Sequence, residues 1–131
     1  MKGFVDDIEK LAEENDDFRQ VLYTGKYLQL VRMSLHPGEE IGDEMHKNGD
    51  QFFRVEKGKG QIVIDGKTHK IKSDDAIVVP AGSRHNLINT GDKSLKIYTL
   101  CGPPNQLDQL IQTTKAEASA SKEAFAGATT E

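Results

Sequence analysis

At 131 residues, with 21 acidic against 17 basic side chains and 36% hydrophobic residues, the chain has the size and apolar content of one domain. The net charge of −4, with Lys67, Lys70, Lys72 and Lys93 scattered among acids, argues against nucleic acid as a partner. No apolar run approaches the ~20 residues of a membrane-crossing helix, and the lone Cys101 excludes an internal disulfide, so a cytoplasmic compartment is expected.

In chain order, the N-terminus turns acidic at Asp6 and Asp7 and lacks the apolar core of a secretion signal. A carboxylate-rich start followed by Ile8, Leu11 and Ala12 at helical spacing predicts a short helix with an Asp cap. Asn15-Asp16-Asp17 closes it, giving an N-terminal segment of residues 1–17. From Phe18 the period changes to two. Val21-Leu22-Tyr23 breaks at Thr24-Gly25-Lys26, and Tyr27 to Leu35 resumes as a longer strand. His36-Pro37-Gly38-Glu39 reads as a turn, and Asp65-Gly66 between two alternating runs is a hairpin signal. Ala76 to Val79 stops at Pro80, and Asn86 to Asn89 and Ser94 to Leu100 flank a turn at Thr90-Gly91-Asp92. Eight or nine short strands with no helix between them predict an all-β antiparallel sandwich or barrel over residues 18–112. Residues 113–131, rich in Ala, Ser, Thr, Lys and Glu, read as a loose or helical tail.

The chemistry concentrates in two places. Glu44 and His46 stand two apart, so on a strand both side chains point the same way. Gln51 follows the turn-like Lys47-Asn48-Gly49-Asp50, and a hairpin there would fold it back over that pair. Further on, Pro80, Gly82, His85 and Asn89 form a second cluster able to supply a fourth donor. Two nitrogens and two oxygens converging from antiparallel strands make a divalent-metal site. The bland alternative for His46 and His85 is a pair of buried, hydrogen-bonded imidazoles; Gln51 is a ligand, a partner of a metal-bound water or a substrate contact. An inward Glu44 needs a cation or a proton. His36, beside Pro37, and His69, among lysines, read as surface residues. Cys101, with no adjacent base, reads as a small buried residue, and Phe53 and Val55 share the cavity-side parity of Gln51.

These residues resemble the cupin superfamily. Its first motif spaces a glycine, two His, an acidic residue and a second glycine; here Gly38, Glu44, His46, Gln51 and Gly58 stand at those intervals. Its second motif spaces a glycine, Pro, Gly, His and Asn; here Asp74, Pro80, Gly82, His85 and Asn89 match it. Glu44 replaces the usual first His, Gln51 the usual acid and Asp74 a turn glycine. The first two exchanges leave the same net ligand charge. The resemblance, over about Leu30 to Pro103, implies an antiparallel double-stranded β-helix, or jelly-roll barrel, with an N-terminal helix and a loose C-terminal extension. It further implies Glu44, His46, Gln51 and His85 around a divalent Mn, Fe, Ni, Co or Zn ion, a small-molecule ligand or substrate, and a homodimer. The implied activity is a dioxygenase or a sugar-type isomerase, with Glu44 able to act as general base; the alternative is a non-catalytic binding or sensing module.

Overall fold

Alternation of apolar and polar side chains decides which face each strand buries. In the computed structural model, which describes residues 1–131, helix α1 (Ile8–Glu13) precedes ten strands. These are β1 (Arg19–Thr24), β2 (Gln29–Leu35), β3 (Glu44–Met45), β4 (Asp50–Lys57), β5 (Lys59–Ile64), β6 (Lys67–Lys72), β7 (Ala76–Val79), β8 (Arg84–Ile88), β9 (Leu95–Gly102) and β10 (Ile111–Gln112). Helix α2 (Lys115–Ala120) follows. The strands form two antiparallel sheets, β10-β1-β2-β9-β4-β7 and β3-β8-β5-β6, packed as a jelly roll. Ten strands exceed the eight or nine expected because β3 and β10 are two-residue pairings too short to leave a periodic trace.

The core is a cluster of 15 buried residues supplied by both sheets, with Phe53, Val55, Leu87 and Ile97 fully enclosed. Phe53 and Val55 point inward as their parity requires. Phe52 lies on the outer face against Tyr98, with ring centroids 6.2 Å apart. Asp7 caps α1 by accepting from the Lys10 amide at 3.1 Å. Asp65 and Gly66 both adopt positive φ, 47° and 81°, as the tight β5–β6 hairpin demands. The C-terminal extension returns to the barrel, where the Thr130 amide donates to the Thr24 carbonyl at 2.9 Å.

One expectation is corrected. Residues 47–49 do not close a hairpin between β3 and β4. Those strands sit in opposite sheets: β3 pairs with β8, and β4 with β7 and β9. Gln51 therefore reaches the pair by facing it across the barrel.

The spaced residues of the two motifs interlock. The Gly38 amide donates to the Asn89 carbonyl at 3.0 Å, and the Gly82 amide to the His46 carbonyl at 2.9 Å. Asn89, 1% exposed, donates to the carbonyls of Leu35 and Lys93 and accepts from the Gly91 amide, each at 2.9 Å. The two contacts lie at opposite ends of β8, so the intervals between these residues are the lengths of chain that hold the segment from Gly38 to His46 alongside that strand. Gly82 makes its turn at φ 87°, a conformation that costs a side chain energy and glycine little.

Candidate metal centre

Glu44 and His85 are direct cross-strand partners on β3 and β8, which puts their side chains on one face of the four-stranded sheet. His46 lies just past β3, with its ring centroid 5.5 Å from that of His85. Gln51 is the second residue of β4 on the opposite sheet, beside Cys101 on β9. One ligand atom from each of Glu44, His46 and His85 lies within 4.8 Å of the others. Glu44 Oε2 is 3.0 Å from His46 Nε2 within that group, and Gln51 Oε1, outside it, is 3.1 Å from His85 Nε2. An ion with bonds of about 2.1 Å holds neighbouring donor atoms about 3.0 Å apart in octahedral and about 3.4 Å in tetrahedral geometry. Both close pairs fit such an edge.

The hydrogen bonds around His85 sharpen the fit. Its Nδ1 lies 3.2 Å from the Ser83 carbonyl oxygen, which only accepts, so the tautomer protonated at Nδ1 donates there. In the neutral ring Nε2 then carries a lone pair, and it faces the Gln51 carbonyl oxygen. The Gln51 amide nitrogen donates the other way, to Thr99 Oγ1 at 3.0 Å. Two acceptors face each other at hydrogen-bond distance only when a cation or a proton lies between them. Without one, the amide is stable turned over, donating to Nε2 and accepting from the Thr99 hydroxyl. This orientation suits a cation shared by both atoms or a proton carried on Nε2.

Burial is the largest single influence on Glu44 and pushes its carboxyl up; the hydrogen bond and charge of His46, with Arg19 and His85 behind, together outweigh it and leave it below its ordinary value. A carboxylate held ionised beside two imidazoles is a hard donor ready for a cation. Phe53 meets the His85 ring edge-on at 6.2 Å and walls the floor. His36 and His69 are exposed and lie outside this group.

Three contributors do not stand out in the sequence. Arg19 at the start of β1, Thr99 on β9 and the Asn105–Gln106 loop all line the same cavity, with Met33 and Cys101. Arg19 shares the inward parity of Val21, and Thr99 that of Ile97 and Cys101. A polar residue at an inward position of an apolar strand was the available signal in each case. Burial lowers the Arg19 guanidinium below its usual value, against the pull of Glu44. Desolvation pushes the Cys101 thiol up to about 11, which leaves it protonated and a poor nucleophile.

With this geometry in view, the sequence matches the family model described as Cupin domain, Cupin_2, over residues 31–101. The chain belongs to the cupin family. It is similar to YrkC of Bacillus subtilis, 45% identical over 129 residues, spanning 93% of this chain and 69% of that one. The structure superposes on BH2720 of Bacillus halodurans with a TM-score of 0.90 at 39% identity, covering 92% and 96% of the two chains. A shorter similarity, 35% identity over 66 residues, links half of this cupin to 31% of a 5-nitrosalicylic acid 1,2-dioxygenase from Bradyrhizobium. No helix is long and apolar enough to cross a membrane.

Proposed function

We propose that this cupin is a metal-dependent enzyme acting on a small chelating molecule. Glu44, His46 and His85 would hold a divalent transition ion, with the Gln51 amide oxygen as fourth donor. The observation that carries this reading is the convergence of one ligand atom from each of Glu44, His46 and His85 within 4.8 Å, with Gln51 Oε1 3.1 Å from His85 Nε2. Two imidazoles and one carboxylate with open positions form a set suited to iron. That chemistry, with the partial similarity to a dioxygenase, favours dioxygen-dependent oxidation over sugar isomerisation. Held there, such an ion would supply Lewis acidity and, if redox-active, electron transfer. Within the chain, Glu44 is the group able to take a proton from substrate, and Thr99 holds Gln51 in place. Met33 lines the cavity, and Phe53 packs against the His85 ring.

A second reading, a binding or sensing module without turnover, draws on the narrowness of the cavity. Its volume of about 20 Å³ is room for one water or ion. The experiment is metal loading followed by an oxygen-electrode screen against small hydroxy- and keto-acids and phenolic acids. Iron-dependent oxygen uptake that vanishes in His85→Ala supports the enzyme. Tight ligand binding with no uptake and no isomerised product supports the module.

A further inference from the structure

We propose that the chain after β9 is a lid on the metal cavity. Asn105 and Gln106 form its inner cap, and residues 121–131 form a strap whose release lets a ligand in. This deepens the reading above, because a cavity of about 20 Å³ takes an ion but no substrate.

Two segments that line the cavity, Asn105–Gln106 and Ile41, are bonded to this C-terminal stretch. The Asn105 carbonyl accepts from the Phe125 amide at 2.9 Å, and Lys115 Nζ on α2 donates to the Ile41 carbonyl at 2.7 Å. Beyond Phe125 the strap ends in a latch beside β1. Thr130 donates its amide to the Thr24 carbonyl at 2.9 Å, and its Oγ1 accepts from the Thr24 amide at 2.8 Å. The Glu131 carboxylate accepts from the amides of Lys2 and Gly3, both at 2.8 Å, and from the Tyr23 hydroxyl at 2.6 Å.

Thr24 joins the latch to the cap. The fully buried Gln29 donates from Nε2 to Thr24 Oγ1 and to the Gln106 carbonyl, both at 2.9 Å. Its Oε1 accepts from the amides of Asn105 and Gln106 at 3.2 and 3.0 Å. One buried side chain therefore holds the cap, and the threonine that holds the strap orients that side chain. The strap itself is weakly held. No residue from 113 to 131 is buried, and the Glu131 contacts are exposed. A segment with so little buried surface opens at a free energy well below that of the whole fold.

The test uses Cys101, the single cysteine, which is buried and lines the same cavity, as a reporter of opening. Its labelling by methyl methanethiosulfonate is timed on metal-free protein and scaled to the rate in the unfolded chain. Wild type, the double variant Thr130→Val/Glu131→Ala and Asn89→Ala are compared, and amide hydrogen exchange is followed on each. The expected result is labelling about tenfold or more faster in the double variant and unchanged in Asn89→Ala. The amides of Asn105, Gln106, Phe125 and Thr130 should exchange together, ahead of the barrel strands. Unchanged labelling in the double variant overturns the lid. Equal acceleration in Asn89→Ala also overturns it, because Cys101 would then be reached by unfolding of the barrel. Early exchange of Phe125 and Thr130 without Asn105 and Gln106 overturns it too, since the strap would move without the cap. Cobalt titration of the same proteins separates the lid from the metal centre. Latch-dependent labelling in a protein that takes up no cobalt sustains the lid and sinks the metal centre; bound cobalt with latch-independent labelling does the reverse.

Discussion

Replacing Thr99 by Val separates a ligand from a spectator at position 51. The exchange nearly conserves volume and removes one hydroxyl from a residue 2% exposed. Gln51, 8% exposed, then loses its partner at 3.0 Å, and a buried amide end is left unpaired. That costs about 1–3 kcal/mol of stability. For a chain of 131 residues, about 2 kcal/mol corresponds to a fall in Tm of roughly 7 °C. If Gln51 also ligates, freeing its amide costs about 10–100-fold in metal affinity, the usual effect of losing a group that orients a ligand. Urea unfolding in chelator gives the first quantity, and competition with a chromophoric chelator for cobalt or zinc gives the second. Lost stability with unchanged metal affinity would refute ligation by Gln51 and leave it as a packing contact.

Three further outcomes follow from the geometry. Asn89→Ala removes one buried and two partly buried hydrogen bonds of 2.9 Å and should cost about 3 kcal/mol in urea unfolding; a loss below about 0.5 kcal/mol would mean the motif asparagine does not tie the strand ends together. Asp74 occupies the left-handed region at φ 76°, so Asp74→Gly should be neutral or stabilising by up to about 1 kcal/mol, the relief offset by the lost surface contact to Arg54 at 3.1 Å; clear destabilisation would contradict the backbone argument. Cys101 carries a thiol raised from 9.0 to about 11. The stability it confers is fully present below pH 9, where both states are protonated, and is lost as pH rises toward 11, because the unfolded chain ionises first. The pH profiles of wild type and Cys101→Ala should therefore diverge in that window by on the order of 2 kcal/mol, and parallel profiles would show that the thiol is not desolvated.

Much of this fold is written in local pattern. The parity of Phe53 and Val55, the Asp65-Gly66 turn and the Asp cap of α1 each follow from neighbours in sequence. The proximity of Glu44, His46 and His85 was legible from motif spacing, and the fold brings one ligand atom of each within 4.8 Å of the others. The partnership of β3 was not legible. Two residues carry no period, and the choice between a hairpin with β4 and a crossing to β8 depends on which sheet has a free edge, a property of the whole barrel. Arg19 left only a weak trace, a polar residue at the inward parity of Val21, and the cavity it shares with Glu44 forms only in the folded barrel. Asp74 shows the converse, a substitution at a glycine position that keeps the glycine's backbone angle.

The most direct measurement is elemental analysis of untagged protein purified without chelator, wild type beside His46→Ala and His85→Ala, with circular dichroism to confirm that the variants fold. Near-stoichiometric iron, manganese, nickel, cobalt or zinc in the wild type, lost in both folded variants, is the expected result. A wild type that carries no metal and takes up none when it is added would contradict the metal centre, leaving Glu44, His46, Gln51 and His85 as polar contacts in a ligand-binding barrel.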